Sequence, residues 1–149
     1  MYQIRDWLFI SGSGEAADKA LLKQNKIGAL LSLHLKITPA GVETLFLPVQ
    51  EGVPLPATTI KQGVGFVQAQ HAKKRTVLVA CGAGVSRSVT FATASLAVVE
   101  NIPLHDAFIS IHAHHTQALP DHVHWDSLQA VYGSDWDYWR VWRHVMGEE

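Results

Sequence analysis

The stretch Thr76-Val77-Leu78-Val79-Ala80-Cys81-Gly82-Ala83-Gly84-Val85-Ser86-Arg87-Ser88 decides how the rest of this 149-residue chain is read. Its first five residues are apolar or β-branched and follow the basic run Lys73-Lys74-Arg75, which is the pattern of a buried strand. From Val85 to Asn101 the length and spacing are those of a helix. Between them the chain's one cysteine stands six positions before an arginine, across two glycines. A strand that feeds a helix through such a loop predicts an α/β fold, with the loop at the carboxyl end of a central strand.

No proline interrupts Gly82 to Ser88, so every backbone N–H of the loop is available to face inward. Together with the partial positive charge of a helix start, these groups make a nest for an anion, and a phosphate dianion fits it. Gly82, Ala83, Gly84, Val85, Ser86 and Arg87 are therefore the expected phosphate-binding residues. The same field favours the thiolate of Cys81, because helix N-termini and neighbouring cations lower a cysteine pKa from about 8.5 to as low as ~3.5. Arg87 offers a planar fork to two phosphoryl oxygens and neutralises charge in the transition state. Ser88 is placed to donate to the sulfur. Strand-turn-helix junctions are common, and a lone cysteine is ordinarily a small hydrophobe. It is the joint spacing of Cys81, Arg87, Ser88 and the glycines that reads as covalent phosphoryl transfer, with no metal and no cofactor required.

These residues resemble the signature of the cysteine-based protein tyrosine phosphatases, His-Cys-x-x-Gly-x-x-Arg-Ser/Thr, which Cys81, Gly84, Arg87 and Ser88 match. The tail Ala83-Gly84-Val85-Ser86-Arg87-Ser88 is similar to the dual-specificity branch. One departure is plain: Ala80 stands where the family has a histidine that helps to organise the loop. The resemblance implies a mainly parallel central sheet flanked by helices. It also implies a cysteine-dependent phosphomonoesterase, acting through a cysteinyl phosphate on phosphotyrosine, and on phosphoserine or phosphothreonine, of proteins. It runs from Trp7 to Pro120, and from Asp121 onward the match is one of helical character alone.

In that family an aspartate on a mobile loop before the signature protonates the leaving oxygen. Between Thr44 and Arg75 the only acidic residue is Glu51, in Leu47-Pro48-Val49-Gln50-Glu51-Gly52, which resembles the family's Pro-x-x-Asp pattern. Glu51 is thus the expected acid, one methylene longer than aspartate and with a reference pKa of about 4.3 against 3.9. Asp121, beside Pro120, is the alternative. Two other readings of the loop compete: a phosphate-binding module with little turnover, and a rhodanese-like sulfurtransferase, against which the loop length and Arg87-Ser88 argue. The neutral Gly82, Ala83, Val85 and Ser86 argue against a phosphoinositide phosphatase, which is expected to carry lysines there.

With 48% hydrophobic residues the chain can build a real core, and nothing in it divides residues 1–149 into more than one domain. A net charge of −1 gives no bias toward nucleic acid. One cysteine excludes an intramolecular disulfide, Met1 to Asp6 lacks the pattern of a signal peptide, and no run of about 18 apolar residues predicts a membrane span. The expectation is a cytoplasmic enzyme whose partner is a phosphorylated protein or peptide.

Elsewhere the pattern predicts a strand at Trp7–Ile10, a helix from Glu15 to Lys26, strands at Ile27–Leu35 and Val42–Leu47, a loop from Pro48 to Pro56 and a helix from Thr58 to Lys74. After the signature come helices at Leu104–His115 and Asp121–Tyr132. Five of nine histidines fall between His112 and His124 without the spacing of a metal site, so they read as surface or cap residues, or as neighbours of the phosphate. Trp136, Trp139 and Trp142, with Val145 and Met146, read as an apolar stripe docked on the core. Lys73-Lys74-Arg75 reads as a set of cations at a helix C-terminus.

Overall fold

Successive residues of a strand face opposite ways, so a run apolar at every position must be covered on both faces. The computed structural model, which describes residues 1–148, makes Thr76–Cys81 such a strand. In chain order the elements are β1 (Tyr2–Arg5), β2 (Leu8–Gly12), α1 (Ser13–Ala16), α2 (Lys19–Gln24), β3 (Ile27–Ser32), β4 (Glu43–Phe46), α3 (Ala57–Ala72), β5 (Thr76–Cys81), α4 (Arg87–Glu100), α5 (Leu104–His114), α6 (His122–Tyr132) and α7 (Tyr138–Val145). The sheet has the order β1-β2-β5-β3-β4. β5 lies in its middle with parallel neighbours β2 and β3, β4 is parallel to β3, and β1 alone is antiparallel. This is the mainly parallel, helix-flanked α/β sheet that the sequence predicts.

The two faces of β5 enter different cores. Val77, Val79 and Cys81 join Leu8, Ile10, Ala29 and Leu31 in the larger one, filled from α3 to α6 by Ile60, Val64, Val67, Phe91, Phe108 and Trp125. Leu78 and Ala80 join Phe9, Leu30 and Ile27 in a smaller one, closed by Ala16 and Leu22 of α1 and α2. Ala80 is therefore part of a packed apolar layer, on the opposite side of the strand from Cys81. From Ser88 to Ala97 every residue of α4 is buried, which fits its small side chains: the helix is enclosed by the sheet, α3, α5 and α6.

Several expected boundaries move, each for a local reason. The helix expected over Glu15–Lys26 is two short ones, because the Asp18 side chain accepts from the Leu21 amide and restarts the helix. β3 ends at Ser32, not Leu35, and the helix expected from Val85 starts at Arg87. β1 was not visible in the pattern, since Tyr2-Gln3-Ile4-Arg5 buries only Ile4 deeply. The tryptophan stripe is corrected more strongly. α7 begins after the Asp137 cap, so Trp136 is buried outside that helix, while Trp139 and Met146 are 53% and 48% exposed. Only part of the stripe docks: Trp136 is in the core and Trp142 and Val145 pack against it, while Tyr138 and Val141, outside the stripe, are the buried residues of α7. Beyond α3, Lys73 and Arg75 both reach the Glu43 carboxylate, at 3.9 and 2.9 Å, so they pair across to β4 rather than serving the helix end alone.

Candidate active site

β5 delivers Cys81 to the carboxyl end of the sheet's central strand, and the chain then turns through Gly82 to Ser86 into the first turn of α4. The loop sits directly on the end of β2. A Cβ on Gly84, whose φ is +78°, would lie 2.6 Å from the Ser11 carbonyl carbon, and one on Gly12 would lie 2.8 Å from the Gly82 oxygen. Backbone packs on backbone here, and only glycine admits it. Cys81 is 2% exposed at the bottom of the turn. Its sulfur receives the Gly84 N–H at 3.3 Å and pairs with Ser88 Oγ at 3.2 Å, where the S–H donates in the thiol and the hydroxyl donates to a thiolate.

Ser86 is the N-cap of α4 but does not cap it with its side chain. Its hydroxyl instead donates to Glu51 Oε2 at 3.2 Å. The first intrahelical bond runs from Thr90 N to Ser86 O, so the amides of Arg87, Ser88 and Val89 have no acceptor within the helix, the condition that lets a helix start bind an anion. Arg87 is steered from behind: Nη1 donates to the Val49 carbonyl at 3.0 Å and contacts His34 Nδ1 at 3.3 Å. Its Nη2 would be 3.0 Å from a Cβ on Gly82, which places the fork over the loop. Nε lies 3.3 Å from Glu51 Oε1, near enough to pair but not aligned as a hydrogen bond. Arg87, Glu51, His34 and Pro48 to Gln50 line a cleft of about 570 Å³.

The predicted residues Cys81, Ser88, Arg87 and Glu51 are thus brought together, with Gly82, Ala83, Gly84, Val85 and Ser86 forming the turn between them. Residues that the sequence reading did not assign hold this assembly. With Ala80 packed in the smaller core, other groups order the loop. Ser13 donates from its hydroxyl to the Cys81 carbonyl (3.0 Å) and from its amide to the Gly82 carbonyl (3.3 Å). From the segment that joins α5 to α6, His115 Nε2 meets the Gly84 carbonyl at 2.8 Å and the Leu119 amide donates to the Val85 carbonyl at 2.9 Å. His115 is 1% exposed and stacks on Tyr2 with ring centres 3.7 Å apart. The surface-or-cap reading of the histidines fails for His115 and for His124, which is fully buried.

The segment that carries Glu51 is pinned just as firmly. His124 Nε2 lies 3.0 Å from both the Gln50 and Val53 carbonyls, Asp121 Oδ2 accepts the Gly52 amide at 2.6 Å, and Ser127 Oγ accepts the Leu55 amide at 3.0 Å. All of these partners come from the first turns of α6 or its cap. Burial raises the proton affinity of Glu51 and a hydrogen bond with Asp121 adds to it, outweighing Ser86 and Arg87. Burial also acts to raise Asp121, but the Gly52 amide, the Glu51 proton, the Val123 amide and His124 together hold it below the usual range. Ligand-type atoms of Glu51, Asp121 and His124 lie within 4.8 Å of one another. Both Asp121 oxygens already accept backbone amides, since Oδ1 takes Val123 N at 2.8 Å, and His124 Nε2 faces two carbonyls. The grouping is therefore a hydrogen-bonded acid cluster.

Comparison with known proteins agrees with this chemistry. The family model "Dual specificity phosphatase, catalytic domain" matches residues 8–133, farther toward the C-terminus than the signature-based resemblance reached. The chain is similar to mouse dual specificity protein phosphatase 22, 30% identical over 152 residues, covering 99% of this chain and 83% of that protein. Human dual specificity protein phosphatase 22 is 29% identical over 145 residues, covering 95% and 79%. Among solved structures, human DUSP28 superposes with a TM-score of 0.81 at 20% identity, covering 88% of this chain and 94% of that one, a likeness of fold. A buried cysteine and a forked arginine on one phosphate-sized turn, within a chain matched over most of its length, place this protein in the dual specificity phosphatase family as a cysteine-based protein phosphatase.

Proposed function

We propose that Cys81 is the nucleophile, Arg87 the phosphate clamp and Glu51 the general acid, and that phosphotyrosine is the preferred substrate. The Cys81 thiolate attacks phosphorus in line with the ester oxygen, while the loop amides and the Arg87 fork hold the three equatorial oxygens. The S–P bond forms as the P–O bond breaks, and Glu51 gives its proton to the departing oxygen. Water then attacks the cysteinyl phosphate, the Glu51 carboxylate takes the proton of that water, and the sulfur leaves as a thiolate that accepts from Ser88. The observation that carries this reading is the placement of Glu51 against Arg87 and Ser86, beside the turn that holds a 2%-exposed sulfur. Phosphotyrosine, longer than phosphoserine, has the greater reach toward a residue that is 2% exposed. A thiol that must stay reduced fits the cytoplasm.

The test is hydrolysis of phosphotyrosine and phosphoserine peptides and of an activated aryl phosphate. Cys81→Ser abolishes all three activities. Glu51→Gln slows the poor leaving groups by about 10²- to 10⁴-fold and the activated ester far less. A Cys81→Ser protein that keeps its rate refutes the nucleophile, and equal slowing of all substrates by Glu51→Gln refutes the acid.

A further inference from the structure

We propose that Asp121 is a positioning residue for the acid: its carboxylate and the Glu51 carboxyl form a pair that holds one proton, anchored to the first turn of α6. The inference rests on Glu51 being the acid. Three observations carry it. Asp121 and Glu51 bring oxygens within 4.8 Å of each other in a site that also contains the buried His124. Asp121 is fixed by two backbone amides, Gly52 N from the acid segment itself and Val123 N from α6, so it cannot turn away from Glu51. Both amides donate, which favours the ionised form on Asp121 and leaves the proton on Glu51. Two carboxyls in unlike surroundings separate into an ionised one and a protonated one, and the protonated one is suited to donate to a leaving oxygen.

The charged and titratable groups facing the pair are few. Arg87 approaches Glu51 from α4 and acts to ionise it, with His34 in contact with Arg87 behind it. From α6, His124 acts on Asp121, and Tyr138 of α7 feels the Asp121 charge. The Asp121 charge therefore opposes Arg87. Without it, Glu51 would ionise more readily and the acid would be lost at a lower pH.

Asp121→Asn removes the charge and keeps one of the two anchors, because the Asn oxygen accepts the Gly52 or the Val123 amide while its NH2 can accept neither, so the double variant with Glu51→Gln controls for the lost anchor. The kcat of wild type and variants for a phosphotyrosine peptide is measured from pH 5 to 9. In Asp121→Asn the basic limb moves to lower pH, KM changes little, and kcat above the limb falls by up to tenfold for each pH unit of the move. The same substitution made on Glu51→Gln adds no further loss. In Cys81→Ser protein, ¹³C-carboxyl titration of Glu51 moves in the same direction, which does not depend on turnover. A limb lost in Glu51→Gln but unmoved in Asp121→Asn overturns the pair alone. A Cys81-dependent enzyme whose limb survives Glu51→Gln overturns Glu51 as the acid and the pair with it.

Discussion

His115→Phe is expected to destabilise the protein at pH 7.5 and to remove part of its sensitivity to acid. The Gly84 carbonyl can only accept, so the His115 nitrogen that meets it at 2.8 Å, Nε2, carries the proton. The other nitrogen, Nδ1, is buried and has no hydrogen-bond partner among the described residues. A second proton would place an N–H where nothing accepts it, and burial holds the His115 pKa below that of a free histidine, the nearby N-terminal charge adding and the Gly84 bond opposing. The unfolded chain takes up a proton below about pH 6.5 and the folded one resists it, so stability is full above that pH and is lost as pH falls through it. If the folded state stays neutral, the loss from pH 7 to 5 is at most about 2 kcal/mol. Phenylalanine keeps a ring against Tyr2 but leaves the buried Gly84 carbonyl without its donor, at a cost of about 1–3 kcal/mol. The two stability curves, from urea denaturation followed by tryptophan fluorescence, should therefore lie apart at pH 7.5 and converge toward pH 5. His112 is also held low, by burial first and then by His144 and His115, so the readout is the difference between the two proteins. Curves that stay parallel, or that coincide at pH 7.5, refute the reasoning.

Arg87→Lys replaces the fork with a point charge and gives up two charge-assisted hydrogen bonds at about 1.5 kcal/mol or more each, so kcat/KM for an aryl phosphate should fall by about 10²-fold or more. Gly84→Ala meets both a left-handed φ of +78° and the backbone of Ser11 and Gly12 at 2.6 and 2.7 Å. It should cost about 2–5 kcal/mol by chemical denaturation and lower activity as the loop lifts off β2. Ser88→Ala removes the hydroxyl 3.2 Å from the sulfur, so breakdown of the cysteinyl phosphate should slow by about ten- to a hundredfold and a burst of product should appear in stopped-flow traces.

What could be read in the sequence was what local spacing encodes. Thr76 to Ser88 gave strand, turn and helix start because each depends on neighbours along the chain, and the same run carried Cys81, Arg87 and Ser88. Glu51 was singled out by its place in a Pro-x-x-acid pattern, and the fold brings it beside Arg87 and Ser86. The supports were not legible, because each joins residues far apart in sequence: His115 to Gly84 is 31 positions, and His124 to Gln50 is 74. A histidine that caps a distant carbonyl has the same local sequence as one in water. The tryptophan spacing of three misled for a related reason, since Asp137 caps α7 after Trp136 and breaks the apparent helical period. Asp18 likewise looked like an interior helix residue until its side chain was seen bonded to the Leu21 amide.

The parts of the site are completed in an order fixed by the chain. The phosphate nest needs residues up to the start of α4, but the supports of the nest and of the acid segment arrive later, at His115, Leu119, Asp121 and His124. A chain still emerging from the ribosome, with α4 made and the segment from His115 to His124 not, has neither its turn held at Gly84 and Val85 nor its Glu51 segment held at Gln50 and Gly52. During synthesis, which proceeds at about 5–20 residues per second, that interval lasts seconds. The last helices thus complete both halves of the site together: the means to grip phosphate and the means to turn it over are fixed in the same step of synthesis.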